Sequence, residues 1–485
     1  MAVVGGGAAG LTAAWFAAEG GAAEVTVYER MREPGKKILM SGGTRCNVLP
    51  LRVDVSSDFF TDSDPKRLKA IFKSWTLDRC REWLSGTATP EQTATAFGEH
   101  GRPGSGSGSA STSAPVGEDR RRMDGTAKGP GVGLRLELEA ESAKWFPHSN
   151  DAREVRDRLV QGCELRGVRF EYDASVEAVE RRGEHWTCRL RDGSVRVADT
   201  VVVATGGLSF PKVGTDGTGH RMLASLGHTV RPTYPALTPL HGPHPGGGGG
   251  GGGEHALAGL STQTVVARVA GPQAKKETKA AKRARHANRT GWLFTHKGFS
   301  GPAVLDLSHH VVKVLEEGGA DVDRSVRVNW IGEDREWWTQ GPLFGGGDRG
   351  GKTVLNSLKA TPLPARLAEA LLAEAGVDKG TKVAQLRKED RARLLEVLTE
   401  YPVPATGHGG YKLAEVTGGG VALEDVSSVT LESVSHPGLY LCGEVLDVFG
   451  RIGGFNFYWA WLSGRLAGLY AAAPRALVTQ ERTSE

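Results

Sequence analysis

The first thirty residues, "MAVVGGGAAGLTAAWFAAEGGAAEVTVYER", limit the fold more than any other stretch. A short apolar strand runs into Gly5, Gly7 and Gly10, a helix of small residues follows, and a second strand, Val25 to Tyr28, ends at Glu29. In such a βαβ unit Gly5 permits the tight turn, Gly7 lets the backbone approach a pyrophosphate, and Gly10 lets helix and strand pack closely. The helix N-terminus then faces the anion. Glu29 follows Gly10 by about twenty residues, where a carboxylate accepts hydrogen bonds from a ribose diol and repels a 2′-phosphate. The unit predicts an α/β, Rossmann-like domain that holds an adenosine nucleotide of the NAD or FAD kind, and not NADP. Only Ala2, Val3 and Val4 precede the glycines, against a mean strand of about five to six residues. Either that strand is unusually short or the true start lies upstream of Met1.

The choice between NAD and FAD depends on two later stretches. In "DTVVVATGGLSFP" a buried-type strand, Val201 to Ala204, ends at Thr205, Gly206 and Gly207. In "GLYLCGEVLD" another closes on Gly443 and Glu444, and "GRIGGFNFYWAWLSGRLAG" follows as a glycine turn opening a helix. Together these resemble the glutathione-reductase-type flavoproteins. The resemblance implies that the late acid lies on the ribityl chain and that the following helix points its N-terminus at the flavin pyrimidine, where negative charge collects on reduction. FAD is therefore the expected cofactor.

"GKKILMSGGTRCNV", "FPKVGTDGTGHRMLASLGH", "PALTPL", "GWLFTHKGFSGPAVLDLS", "LAEVTGGGV" and "GEVLDVFGRIGGFNFYWAWLSGRLAG" occur in that order. Their sequence and order resemble the BaiN/YhiN-like flavoproteins, also called NAD(P)/FAD-dependent oxidoreductases or aminoacetone oxidases, over most of residues 1 to 475. The resemblance implies that Gly5, Gly7, Ala8, Ala9 and Gly10 hold the pyrophosphate and Glu29 the adenosine ribose, with Arg30 beside it. Val176 is the implied backbone contact to adenine. It further implies that Lys37, Ser41, Gly42, Arg45, Cys46 and Asn47 form the loop passing the flavin, with Thr205 and Gly206 at the strand end, and that Gly443, Glu444, Gly453, Gly454, Phe455 and Asn456 close over it. Thr44, Leu49-Pro50, Phe449 and Tyr458 depart from the family pattern, each changing polarity near the flavin or its entrance.

The expected architecture is a glutathione-reductase-type FAD domain from residues 1–210 and 405–475, interrupted by an inserted β-barrel-like domain at 211–340 and a helical subdomain at 341–404. "TQTVVARVAG" and "RSVRVNWIG" supply the β-rich character. In "LPARLAEALLAEAGVDKG" Leu367, Leu371 and Leu372 share a helix face and Gly376 is the stop. Ser300 is the expected cap of a helix whose first turn holds Pro302. The glycine- and serine-rich tracts at 101–130 and 244–254 are read as disordered insertions.

Five scattered cysteines without a CxxC pair argue against a disulfide scaffold, a zinc ribbon and a dithiol centre, and no metal site is expected. No run of about eighteen apolar residues predicts a membrane span. A cytoplasmic location is expected, or a plastid or mitochondrial one should a targeting segment precede Met1. A net charge of +4 gives no general case for nucleic acid. The basic run Lys275 to Arg289 lacks interleaved aromatics and is read as a solvated loop.

The expected activity is hydride transfer between FAD and a small organic molecule, an enone, an amine or a carbonyl compound, with NAD(P)H or oxygen as redox partner. No second strand-GxGxxG-helix unit marks a separate NAD(P)H site, and "GTDGTGH" lacks a distal acid. The alternative is an RNA-associated flavoprotein related to tRNA-modifying enzymes. His296 is the preferred general acid because its ordinary pKa lies near neutrality. Tyr458 is a second proton donor candidate and Cys46 a candidate redox thiol, with structural roles as the competing readings of all three.

Overall fold

The computed structural model describes residues 1–87, 131–247, 253, 255–269, 286–316, 326–345, 351–403 and 405–473. The tract 101–130, most of 244–254 and most of the basic run lie outside the described residues. His244, expected at the start of a disordered insertion, is instead 3% exposed. Its imidazole donates to the Gly298 carbonyl at 3.1 Å and accepts the Leu257 N–H at 3.2 Å, which secures it against the neighbouring strand.

Strand β1 (Ala2–Val4), helix α1 (Ala8–Glu19) and strand β2 (Thr26–Tyr28) form the expected βαβ unit. The parallel sheet has five strands in the spatial order Leu439–Leu441, Val201–Val203, β1, β2, Arg169–Glu171. Every residue of the inner strands is buried, which is why they read as unbroken apolar runs: a parallel sheet is covered on both faces. Helix α1 covers it together with the C-terminal helix Phe455–Ala472. Both helices are apolar nearly all round because both are central. They approach backbone to backbone: a Cβ at Gly468 would lie 2.2 Å from the Ala13 carbonyl oxygen.

The middle of the chain builds a seven-stranded antiparallel sheet, in the order 401–403, 326–329, 261–269, 286–295, 298–300, 240–241, 407–408. Helix Pro302–Glu316 packs on it, and helices Val354–Lys359, Ala365–Glu374 and Lys388–Thr399 follow. Leu367, Leu371 and Leu372 are buried, and Gly376 follows with a φ of +69°. Ser300 is not the cap of its helix. It ends a strand, paired to Leu293, and Gly301 at φ +92° makes the turn into Pro302.

Two buried apolar clusters result. Met222 and Leu223 belong to the parallel-sheet cluster, whereas Tyr234, Ala236 and Leu237 belong to the other. The chain returns at Val416, in the second cluster, and Val421, in the first. Strands Val230–Ala236 and Val416–Val421, which contain these changeovers, pair with each other. We propose this ladder as the seam between the two parts. No described helix is long and apolar enough to cross a membrane.

Candidate dinucleotide site

A cavity of about 530 Å³ opens where the parallel strands end, the usual place for a ligand in an open α/β sheet. One end is built by the βαβ unit. Helix α1 starts at Gly7 with no side-chain cap and no acid in its first turn, so its N–H groups are left for an anion. A Cβ at Gly10 would stand 1.9 Å from the Gly5 carbonyl oxygen, so only glycine lets the helix leave the strand at this angle. Glu29, 8% exposed, accepts the Gly6 and Met31 N–H groups, one on each carboxylate oxygen and both at 2.8 Å. Burial raises its carboxyl pKa while those two bonds and Arg30 oppose the rise. Arg30 pairs with Asp216 at 2.7 Å and donates to the Gly214 carbonyl at 3.1 Å, and Val176 is on the wall nearby.

The middle of the cavity is a polar clamp. Glu444 takes the Lys37 ammonium at 2.5 Å on one oxygen and the Thr417 N–H at 2.9 Å on the other. Thr205 and Gly206 face it from the neighbouring strand end, with Ser41, Gly42 and Asn47 across the opening. Arg45 lies over the Phe146 ring, 4.2 Å from its centre, and pairs with Glu139 at 2.9 Å. The far end is the turn Gly453–Gly454 and the start of the C-terminal helix, where the Asn456 amide holds Gly450 through its N–H and its carbonyl.

The structure therefore brings to one cavity every cofactor residue expected from the sequence except Gly10, Cys46 and Phe455. The three catalytic candidates do not meet there. His296 is exposed in the turn between strands 286–295 and 298–300. Tyr458 is 3% exposed and donates to the Trp75 carbonyl at 2.6 Å, so its hydroxyl is used in the core. Cys46 is fully buried and burial pushes its thiol up to about 12, which makes it a packed thiol rather than a redox group. All five cysteines are free and buried.

Other residues were not expected from the sequence. Gly214 to Gly219, the "GTDGTGH" glycines set aside for want of a distal acid, line this same cavity. Lys144, Phe210, Leu237 and Glu415 also line it. Glu415 is half-buried, with its carboxyl pKa raised by burial against the pull of Lys37. Its local signal was the "LAEVTGGGV" stretch, which by itself assigns no role to the acid.

The chain matches the HI0933-like protein Rossmann domain over residues 1–102 and 131–470. It belongs to the HI0933-like family. Within this family of BaiN/YhiN-type flavoproteins it is an FAD-dependent oxidoreductase. The HI0933-like chain is 29% identical over 470 residues to the ribosomal RNA dihydrouridine synthase of Escherichia coli (strain K12), covering 95% of each. It is 27% identical over 475 residues to the 3-dehydro-bile acid delta(4,6)-reductase of Clostridium scindens, covering 97% of this chain and 98% of that one. The ribosomal RNA dihydrouridine synthase of Haemophilus influenzae is 26% identical over 480 residues, covering 96% of this chain and 97% of that one.

Proposed function

We propose that this HI0933-like chain holds FAD along the cavity and reduces a carbon–carbon double bond conjugated to a carbonyl. The observation that carries the placement is the cavity itself, with a ribose-type acid at one end, an uncapped helix start at each phosphate or ring position, and a carboxylate clamp between. The residues fit the cofactor. Nothing stands within 4 Å of a Cβ position at Gly7, so the pyrophosphate has room against the backbone. Each Glu29 oxygen keeps a lone pair for a ribose hydroxyl, and Glu444 does the same for the ribityl chain.

FAD bound there supplies two-electron transfer to an activated double bond. The chain's own task is to orient the acceptor and to deliver a proton. Glu415 is the group placed for that proton: it is on the wall, and burial keeps a larger share of it protonated near neutral pH than an exposed glutamate. It takes the role that His296 was expected to fill.

The substrate class follows from what the relatives have in common. A dihydrouridine arises by saturating the uracil double bond beside a ring carbonyl, and a delta(4,6)-reductase acting on a 3-dehydro bile acid saturates a dienone. Both are conjugate reductions. A small enone is the first reading, with NADH or NADPH as donor. A uracil in ribosomal RNA is the second, favoured by two of the relatives matched.

The deciding experiment follows the flavin spectrum of the purified holoprotein anaerobically with NADH or NADPH, then with 2-cyclohexenone or an unmodified ribosomal RNA transcript. Bleaching by the nucleotide and recovery with the enone is the expected result. Recovery with RNA alone, accompanied by dihydrouridine in the transcript, selects the second reading. A protein that neither carries nor takes up FAD overturns the cofactor placement.

A further inference from the structure

Three of the cations on the cavity wall are held in ion pairs: Arg30 with Asp216, Lys37 with Glu444 and Arg45 with Glu139. Lys36 acts on Glu29 through charge alone, because the Glu29 oxygens accept the Gly6 and Met31 N–H groups. The Lys144 ammonium has neither an ion pair nor a hydrogen bond among the described residues. Its nearest carboxylates are committed elsewhere. Glu139 sits directly across the strand ladder from Lys144, yet its side chain takes Arg45 and the Ser142 hydroxyl. Asp306 accepts the Ile452 N–H at 2.8 Å and faces Arg451 at 3.4 Å. A partly buried ammonium without a partner costs stability, so a site that retains one is built for an anion that arrives later.

The position of Lys144 narrows what that anion is. A Cβ at Gly453 would lie 2.5 Å from the Lys144 Cε and 3.4 Å from its Nζ, so the lysine stem lies across this glycine. Gly453 immediately precedes Gly454, the N-cap of helix Phe455–Ala472, which has neither a side-chain cap nor an acid in its first turn. The positive end of an eighteen-residue helix and a free ammonium thus meet on one stretch of cavity wall.

We propose that Lys144, together with the start of this helix, binds the negative charge that reduction places on the flavin pyrimidine edge, and so raises the flavin's affinity for electrons. The proposal rests on the FAD placement given above. Lys144 acts through charge and proximity to the cofactor. Burial lowers its ammonium pKa from the ordinary lysine value, with Asp306 and Glu139 opposing, so its charge is lost earlier on the alkaline side than that of an exposed lysine.

Sulfite tests this without knowledge of the substrate. It adds through its sulfur lone pair to the central ring nitrogen of oxidised flavin. One N–S bond forms, no proton is needed, and the displaced electron pair leaves its charge on the pyrimidine edge. Titrations of the FAD-loaded protein, read from loss of the visible flavin band, are expected to show about tenfold weaker binding in K144M and near wild-type binding in K144R, the loss of one nearby charge being of that order. Wild-type affinity also falls on raising the pH through the lysine ionisation, and K144R lacks that fall. Should K144M not fold or not retain FAD, the wild-type and K144R pH profiles decide. Equal sulfite affinity in K144M, identical pH profiles in wild type and K144R, or a flavin-loaded wild type that binds no sulfite overturns the role of Lys144 alone. A wild type that holds no FAD overturns the cofactor placement and this proposal with it.

Discussion

Glu415 and Gly10 show how differently two residues on one site reveal themselves. Gly10 was legible in the sequence because its role is steric and local: the turn from β1 to α1 leaves 1.9 Å where a Cβ would go. Gly10→Ala is expected to lower FAD content of the purified protein at least tenfold, measured as flavin per protein, because the clash is with backbone that cannot move aside. Glu415 was not legible, because a lone glutamate before a glycine strand has no motif that separates an acid from a surface charge. Only its place on the cavity wall does so. Glu415→Gln is expected to slow reoxidation of the flavin by an enone by about 10²-fold or more, while flavin reduction by NAD(P)H stays within a factor of about three. Equal slowing of both half-reactions would assign Glu415 to FAD binding instead. His296 failed as the candidate acid for a comparable reason: a suitable ordinary pKa says nothing of location, and a turn carries this one into solvent.

At the scale of elements, small residues decide how close the two central helices come. Gly464 and Gly468 have their would-be Cβ atoms 2.4 Å and 2.2 Å from the carbonyl oxygens of Ala9 and Ala13. The alanine- and glycine-rich composition of both helices is the sequence trace of that contact. The pairing partner was not visible, since these residues are more than 440 positions apart. Gly468→Ala is expected to destabilise the protein by about 1–3 kcal/mol, read as a lower denaturant midpoint, because neither backbone yields without moving α1 and with it the glycine loop. A variant as stable as wild type would mean that the helices slide apart at no cost. Helix Ala365–Glu374, by contrast, was readable alone, since its apolar face and Gly376 stop are local signals.

Across the whole molecule, polar side chains tie segments that the sequence leaves far apart. Asp447, 2% exposed in its side chain, accepts from the Thr61 hydroxyl at 3.1 Å, the Asp62 N–H at 2.9 Å and the Ser63 hydroxyl at 3.1 Å, with Arg231 at 3.3 Å. Burial, helped by Asp62, raises its pKa to about 6. A carboxyl whose folded pKa lies above its unfolded value favours the fold when protonated. The stability it contributes is full below about pH 4 and is lost as the pH rises through about 6. The loss amounts to at most about 3 kcal/mol between those limits. Denaturant midpoints at pH 4 and 7 are therefore expected to show the stability of D447N rising relative to wild type as the pH increases. A difference that stays constant with pH would show that Asp447 does not titrate in this range. Asp306 makes a similar tie, from the helix Pro302–Glu316 to the Ile452 N–H beside the turn Gly453–Gly454.

By itself the sequence determined the βαβ unit, and all but three of the cofactor residues it put forward do line the cavity, because each depends on neighbours within a turn or two: glycines where backbone must approach, an acid at a strand end, apolar runs where a strand is covered on both faces. Tertiary structure alone decided which charges are neutralised and which are not. Lys144 and Arg45 are alike as residue types, but Glu139 can satisfy only one of them in this fold, and the ladder and loop geometry assign it to Arg45. It also decided which acid faces the cavity, since Glu415, His296 and Tyr458 are all competent proton donors in isolation and differ only in where packing carries them.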